Sequence, residues 1–145
     1  MSLCLAAGAV AASLAIESFT LSWIHSIEKI RWEEDWRIEG HKLVLTEARV
    51  RGSGAGMEPP AGSVLKNGGW HYRPQLPPQT VLRLTHSSYA GGFTLCTATL
   101  CLPLADHLPG IDNNAVIIFA FISFLVIVLP STIDNKSRIV NICFL

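Results

Sequence analysis

Three successive stretches of the chain alternate apolar and polar residues with a period of two, and this alternation limits the first third to strands. Phe19, Leu21, Trp23, His25 and Ile27 alternate with Thr20, Ser22, Ile24, Ser26 and Glu28. Ile30, Trp32, Glu34, Trp36 and Ile38 alternate with Arg31, Glu33, Asp35 and Arg37, and Leu43, Leu45 and Glu47 with Lys42, Val44, Thr46 and Ala48. Successive side chains of a strand point to opposite faces, so each stretch offers one mainly apolar face and one polar face. A helix over Ser26 to Ile38 would set Trp32 and Trp36 side by side, yet its charges would leave only a narrow apolar stripe. The strand sorts almost every charge to one side. Short loops between the stretches make the three an antiparallel meander.

The rest of the chain punctuates itself in the same way. Leu3 to Ala7 and Val10 to Ile16 read as two short strands around Gly8, in competition with a signal segment that would have no Lys or Arg before Lys29. Arg51 to Pro60, RGSGAGMEPP, is a loop, and Asn67-Gly68-Gly69 is a turn. Further strands are expected at Val81 to Thr85, at Phe93 to Cys96 and near Cys101 to Leu104. The fold class is therefore mainly β, a compact antiparallel β-sandwich or barrel-like domain over residues 1–108.

Ala115 to Leu129, AVIIFAFISFLVIVL, holds no charge. As a helix it would be about 22 Å long against a hydrocarbon core of about 30 Å. It reads as a hydrophobic, helical C-terminal extension over 109–145 with a single transmembrane helix at 115–129, which makes the protein membrane-associated. Lys136 and Arg138 after the run place the C-terminus in the cytoplasm. The missing export signal argues against the matching external placement of the β domain, so the sequence leaves the cytoplasmic and periplasmic sides both open.

Eleven basic residues balance eleven acidic ones, so no electrostatic footprint for nucleic acid exists. Cys96 and Cys101, in CTATLC, form a hairpin disulfide in an oxidising compartment or two buried thiols in a reducing one. No zinc-ligand spacing and no cofactor fingerprint appears. A two-residue loop at Glu28-Lys29 would pair His25 with Trp32, Trp23 with Glu34 and Leu21 with Trp36. A second at Glu39-Gly40 would set Trp32 opposite Glu47. His25, Glu34 and Glu47 would then meet on the apolar face, as a satisfied polar network that fixes register or as a ligand or metal site of an enzyme or metal-binding protein. Ser26 adjoins His25 but points to the opposite face, and no G-x-S-x-G elbow supports a nucleophile. The loop G-S-G-A-G lacks a G-K-S/T ending, although backbone amides around Gly54 and Gly56 would accept a small anion. The expected ligand-binding set is thus His25, Ser26, Glu28, Glu34, Glu47, Gly54 and Gly56, with no resident metal and no cofactor.

The motifs FTLSWIHSIEK, WEEDW, LTEARVRGSGAGMEPP, Gly68-Gly69-Trp70 and TLC with a following Cys resemble, in order and spacing, the bacterial family known as domain of unknown function 1850. The resemblance spans roughly Leu3 to Leu108 and leaves Pro109 to Leu145 without a counterpart. It implies that Leu3 to Ile16 is an opening pair of strands. It brings no established activity, and it implies an accessory role beside TRAP-type solute transporters of the TAXI class, with transporter components as partners.

Overall fold

Both short apolar segments at the start of the chain are strands, β1 (Leu3–Ala7) and β2 (Val10–Leu14). The three alternating stretches become β3 (Ser18–Ile24), β4 (Arg31–Glu39) and β5 (Lys42–Val50). They are followed by β6 (Val64–Lys66), β7 (Gly69–Tyr72), β8 (Val81–Thr85), β9 (Thr94–Cys96), β10 (Cys101–Pro103), one helical turn α1 (Leu104–His107) and β11 (Val116–Phe121). A two-stranded pair, β12 (Val126–Leu129) and β13 (Arg138–Asn141), completes the order. The computed structural model describes residues 2–52, 58–87, 91–121, 126–129 and 138–141.

All pairings are antiparallel. One sheet has seven strands in the order β10-β9-β3-β4-β5-β7-β6, the other four in the order β2-β1-β11-β8. The sheets share one core, with Leu3 and Leu5 of β1 and Ile117 and Phe119 of β11 meeting Phe19, Leu21, Trp36 and Leu43 of the larger sheet. Phe19 and Phe119 stack across the interface with ring centroids 5.8 Å apart, a contact that adds about 1 kcal/mol beyond area burial. Leu104 and Leu108, both fully buried around α1, plug the same core. The expected sandwich-like arrangement of two sheets is present, and no closed barrel forms among the described residues.

The expected C-terminal helix is not what the described residues of 115–129 form. Val116–Phe121 is an interior strand, paired to β1 on one side and β8 on the other, and Val126–Leu129 is also extended. Residues 122–125 lie outside the described part. A run of Val, Ile and Phe suits a strand buried inside a sheet, which needs no polar face and so reads as continuous apolar sequence. Among the described residues no helix is long and apolar enough to cross a membrane.

Two turns set the meander's register. Between β3 and β4 the loop is four residues, 26–29, closed by hydrogen bonds from His25 N–H to the Ile30 carbonyl (2.9 Å) and from Lys29 N–H to the His25 carbonyl (3.0 Å). Lys29 takes the left-handed conformation (φ 56°) that ends such a loop. Trp23 therefore pairs with Trp32, Leu21 with Glu34 and Phe19 with Trp36, two residues away from the expected register, so the paired side chains of β3 and β4 keep their predicted faces. Between β4 and β5 the two-residue turn is Gly40-His41, with Glu39 opposite Lys42, one residue later than expected.

A β-bulge then changes β5. Asp35 pairs with Glu47 but Trp36 pairs with Leu45, so Thr46 is an extra residue, and its hydroxyl donates to the Asp35 carbonyl (3.0 Å). The insertion reverses the alternation within the strand. Leu43 and Leu45 face the core before it, Ala48 and Val50 after it, and Glu47 and Arg49 turn outward.

Candidate functional site

Strand pairing lays the residues of the large sheet in rungs. On the inner face one rung runs Leu95, Leu21, Glu34, Ala48, Tyr72, and the next runs Trp23, Trp32, Val50, Trp70. Outward, one rung runs Cys101, Cys96, Thr20, Asp35, Glu47, and its neighbour runs Thr94, Ser22, Glu33, Arg49, His71. The outer rungs carry the chemistry.

Arg49 is the centre of that face. Its Nη1 and Nη2 donate to Asp35 Oδ2 and Oδ1 at 2.5 and 3.0 Å, its Nε to Glu33 Oε2 at 3.1 Å, and its Nη1 also to Glu47 Oε1 at 3.3 Å. The planar guanidinium fork matches the Asp35 carboxylate with two parallel bonds. Thr20 donates to Asp35 Oδ1 (2.7 Å), and His71 Nδ1 donates to Glu47 Oε1 (2.7 Å), with His71 Nε2 lying 3.1 Å from the Lys66 carbonyl. Burial alone would raise the Asp35 carboxyl, but hydrogen bonds from Arg49 and Thr20 and the Arg49 charge outweigh it and hold the group below the usual carboxylate range. The His71 bond, helped by Arg49, likewise lowers Glu47. Arg49 itself is stabilised as a cation, chiefly by Asp35.

Two open depressions flank this network. The larger, about 510 Å³, is lined by Ser18, Thr20, Asp35, Arg37, Thr46, Arg73 and the Cys96–Ala98 segment. The smaller, about 300 Å³, is lined by Glu33, Arg49, Arg51, Asn67, Gly69 and His71. Asn67 and Gly68 form the β6–β7 turn with both φ angles positive (51° and 76°), the conformation of a tight Asn-Gly hairpin loop. Cys96 and Cys101, opposite each other across the β9–β10 hairpin, are joined by a disulfide. It lies on the outer face, and its Cys96 lines the larger depression.

The predicted trio of His25, Glu34 and Glu47 is not brought together. His25 belongs to the β3–β4 turn, where its Nδ1 accepts the Glu28 N–H (3.2 Å). Ser26 is exposed and Glu28 half-buried in the same loop. Glu34 does face inward, as expected, with Trp36 Nε1 donating to its Oε2 (3.1 Å). Glu47 lies on the opposite face because of the bulge at Thr46. Gly54 and Gly56 fall outside the described residues. Among the described residues no group of three or more His, Cys, Asp or Glu is placed to hold a metal ion; the three outer carboxylates gather around a guanidinium instead.

Asp35, Arg49, His71, Arg37 and Arg73 were not singled out by the sequence. Asp35 and Arg37 stood at polar positions of the second alternating stretch, which read simply as a solvated face, whereas Arg49, His71 and Arg73 lie beyond the three stretches. Pairing partners on that face depend on the bulge, and no residue pattern announced it.

These features define a class: a disulfide-bearing domain of two antiparallel sheets sharing one core, whose larger sheet leaves a charged face uncovered. Residues 19–104, more than half of the chain, match the family described as Domain of unknown function (DUF1850), and the chain belongs to that family. No curated protein and no solved structure matches it.

Proposed function

We propose that the domain is an accessory, small-ligand-binding module that serves a TRAP-type solute transporter at the membrane, with the outer face of the seven-stranded sheet as its working surface. The transporter partnership rests on the family resemblance. The binding reading rests on one observation, the depression of about 510 Å³ beside the Arg49 network. A set of side chains already locked by mutual hydrogen bonds costs little further ordering when a ligand arrives. The rival reading, an enzyme or metal site of His25, Glu34 and Glu47, finds no support in a geometry that keeps those residues on two faces and a turn.

The test is a thermal-shift and amide-shift screen of the intact chain against small polar solutes, followed by co-purification with the subunits of a TRAP-type transporter. The expected result is a raised melting temperature with amide shifts confined to Ser18–Thr20, Asp35 and Thr97. A screen in which no solute moves those amides, and no transporter subunit co-purifies, defeats the reading.

A further inference from the structure

We infer that the larger depression is a site for a small anion bearing a carboxylate or phosphate group, with Arg73 as its principal ligand and Arg37 as a second; this deepens the binding reading above and rests on it. The acceptors of Asp35, the one anion in the depression, are already engaged: Oδ1 takes Thr20 and Arg49, Oδ2 takes Arg49, and the Asp35 carbonyl takes Thr46. The Thr97 hydroxyl is likewise occupied, accepting the Leu100 and Thr99 N–H groups at 3.2 and 3.4 Å and donating to the Leu100 carbonyl at 3.3 Å. A cationic ligand would find the depression's one carboxylate already committed to Arg49 and Thr20.

Donors, by contrast, are in surplus. Arg73 is exposed and, among the described residues, its side chain has no hydrogen bond or ion pair. Arg37 gives Nε and Nη2 to one oxygen of Glu39, which leaves Nη1 for another acceptor. The Ser18 hydroxyl lines the same depression. Strand alternation puts both arginines here, since Arg37 shares the outer face of β4 with Asp35, and Arg73 follows His71 at the next outward position past β7. Of the three charged groups lining the depression, the one anion is neutralised by Arg49 and two are arginines. An arginine fork binds planar carboxylates and phosphates through paired bonds.

The experiment is calorimetric and amide-shift titration of the intact chain at low salt with succinate and with inorganic phosphate, alongside neutral glycerol and cationic ethylenediamine. One of the two anions should bind saturably and shift the Ser18, Thr20 and Thr97 amides, and the tighter of the two identifies the headgroup. Arg73→Gln should weaken that binding about ten- to a hundredfold without lowering the melting temperature. Arg37→Gln should weaken it by about a factor of several, and Glu39→Gln, which releases Arg37, should tighten it. Failure of both anions to bind, or an Arg73→Gln variant that binds like the parent, overturns the assignment. Glycerol or ethylenediamine shifting those amides while both anions stay silent would overturn the anion and leave a binding site standing; silence from all four removes support from both.

Discussion

On the outer face of the seven-stranded sheet each of the carboxylates Glu33, Asp35 and Glu47 has Arg49 as a neighbour, whereas on the inner face Glu34 has an indole N–H and apolar walls. Glu34 and Asp35 are adjacent in sequence, and their titration is pushed in opposite directions: burial raises Glu34 despite the Trp36 bond, while Arg49 and Thr20 pull Asp35 down against burial. One peptide unit thus separates an ion paired on the outer face from a half-buried acid on the inner one. The same alternation that made the fold legible also decides which carboxylate is useful at the surface and which is a cost inside.

The largest effect should come from the inner face. Trp36 is 2% exposed and packs against both sheets, so Trp36→Ala should destabilise the domain by about 3–5 kcal/mol, read as a lowered urea midpoint. A loss below about 1 kcal/mol would mean the sheets do not close on one core. On the outer face, Arg49→Met leaves Glu33, Asp35 and Glu47 crowded without their common cation. Because these groups are partly solvated, the expected loss is about 2 kcal/mol rather than the larger cost of a fully buried pair. The loss should shrink as pH falls, since the lowered folded values of Asp35 and Glu47 give stability that is present above the ordinary carboxylate range and disappears as pH drops through those values. Parallel pH profiles for Arg49→Met and the parent would break the contrast between the faces.

The Cys96–Cys101 disulfide ties the outer face together beside the larger depression. Removing it by Cys96→Ala with Cys101→Ala opens a loop of sequence separation 5, for which chain entropy predicts a loss of about 2 kcal/mol. Because the bridge lies on the outer face, the amides of Thr20 and Thr97 should move while those of Ile117 and Phe119 stay in place. Equal perturbation of both sets would show that the β9–β10 hairpin supports the core as much as the outer face.

Strand character was legible wherever period-two alternation was sustained, because burial on one face leaves its own imprint on composition. The faces of β3 and β4 were read correctly even though their register was two residues off, since an even shift preserves which side each residue takes. A single inserted residue is different. Thr46 looks like any polar position, yet as a bulge it carries Glu47 and Arg49 to the outer face and takes Glu47 out of the His25–Glu34–Glu47 grouping, while the register shift sets His25 opposite Ile30, away from Glu34. The apolar run at Ala115 to Leu129 misled for another reason: an interior strand and a lipid-facing helix both dispense with polar residues, so hydropathy alone cannot separate them. Glu34, the one member of the trio that takes the inward placement expected of all three from alternation, is also the residue that sets the inner face apart.

The smallest effect concerns Glu34 itself, and its sign is the sharpest test of the contrast. The folded-state value of this carboxyl is raised above the unfolded one, so the folded protein holds the proton more tightly. Stability is then full below the ordinary carboxylate value, falls as pH rises through the raised folded value, and stays reduced above it, where a charged group must remain half-buried on the inner face. Glu34→Gln keeps an oxygen to accept the Trp36 Nε1 bond and removes the charge. At neutral pH and above it should stabilise the domain by about 1 kcal/mol, and below the carboxylate range it should be neutral. Asp35→Asn, one residue away, should do the reverse, costing stability at neutral pH and little in acid. Urea midpoints for the two variants, measured from acid to alkaline pH, should therefore diverge from the parent in opposite directions. Two variants that moved together would mean that the strand does not separate its neighbours into a paired face and an enclosed one.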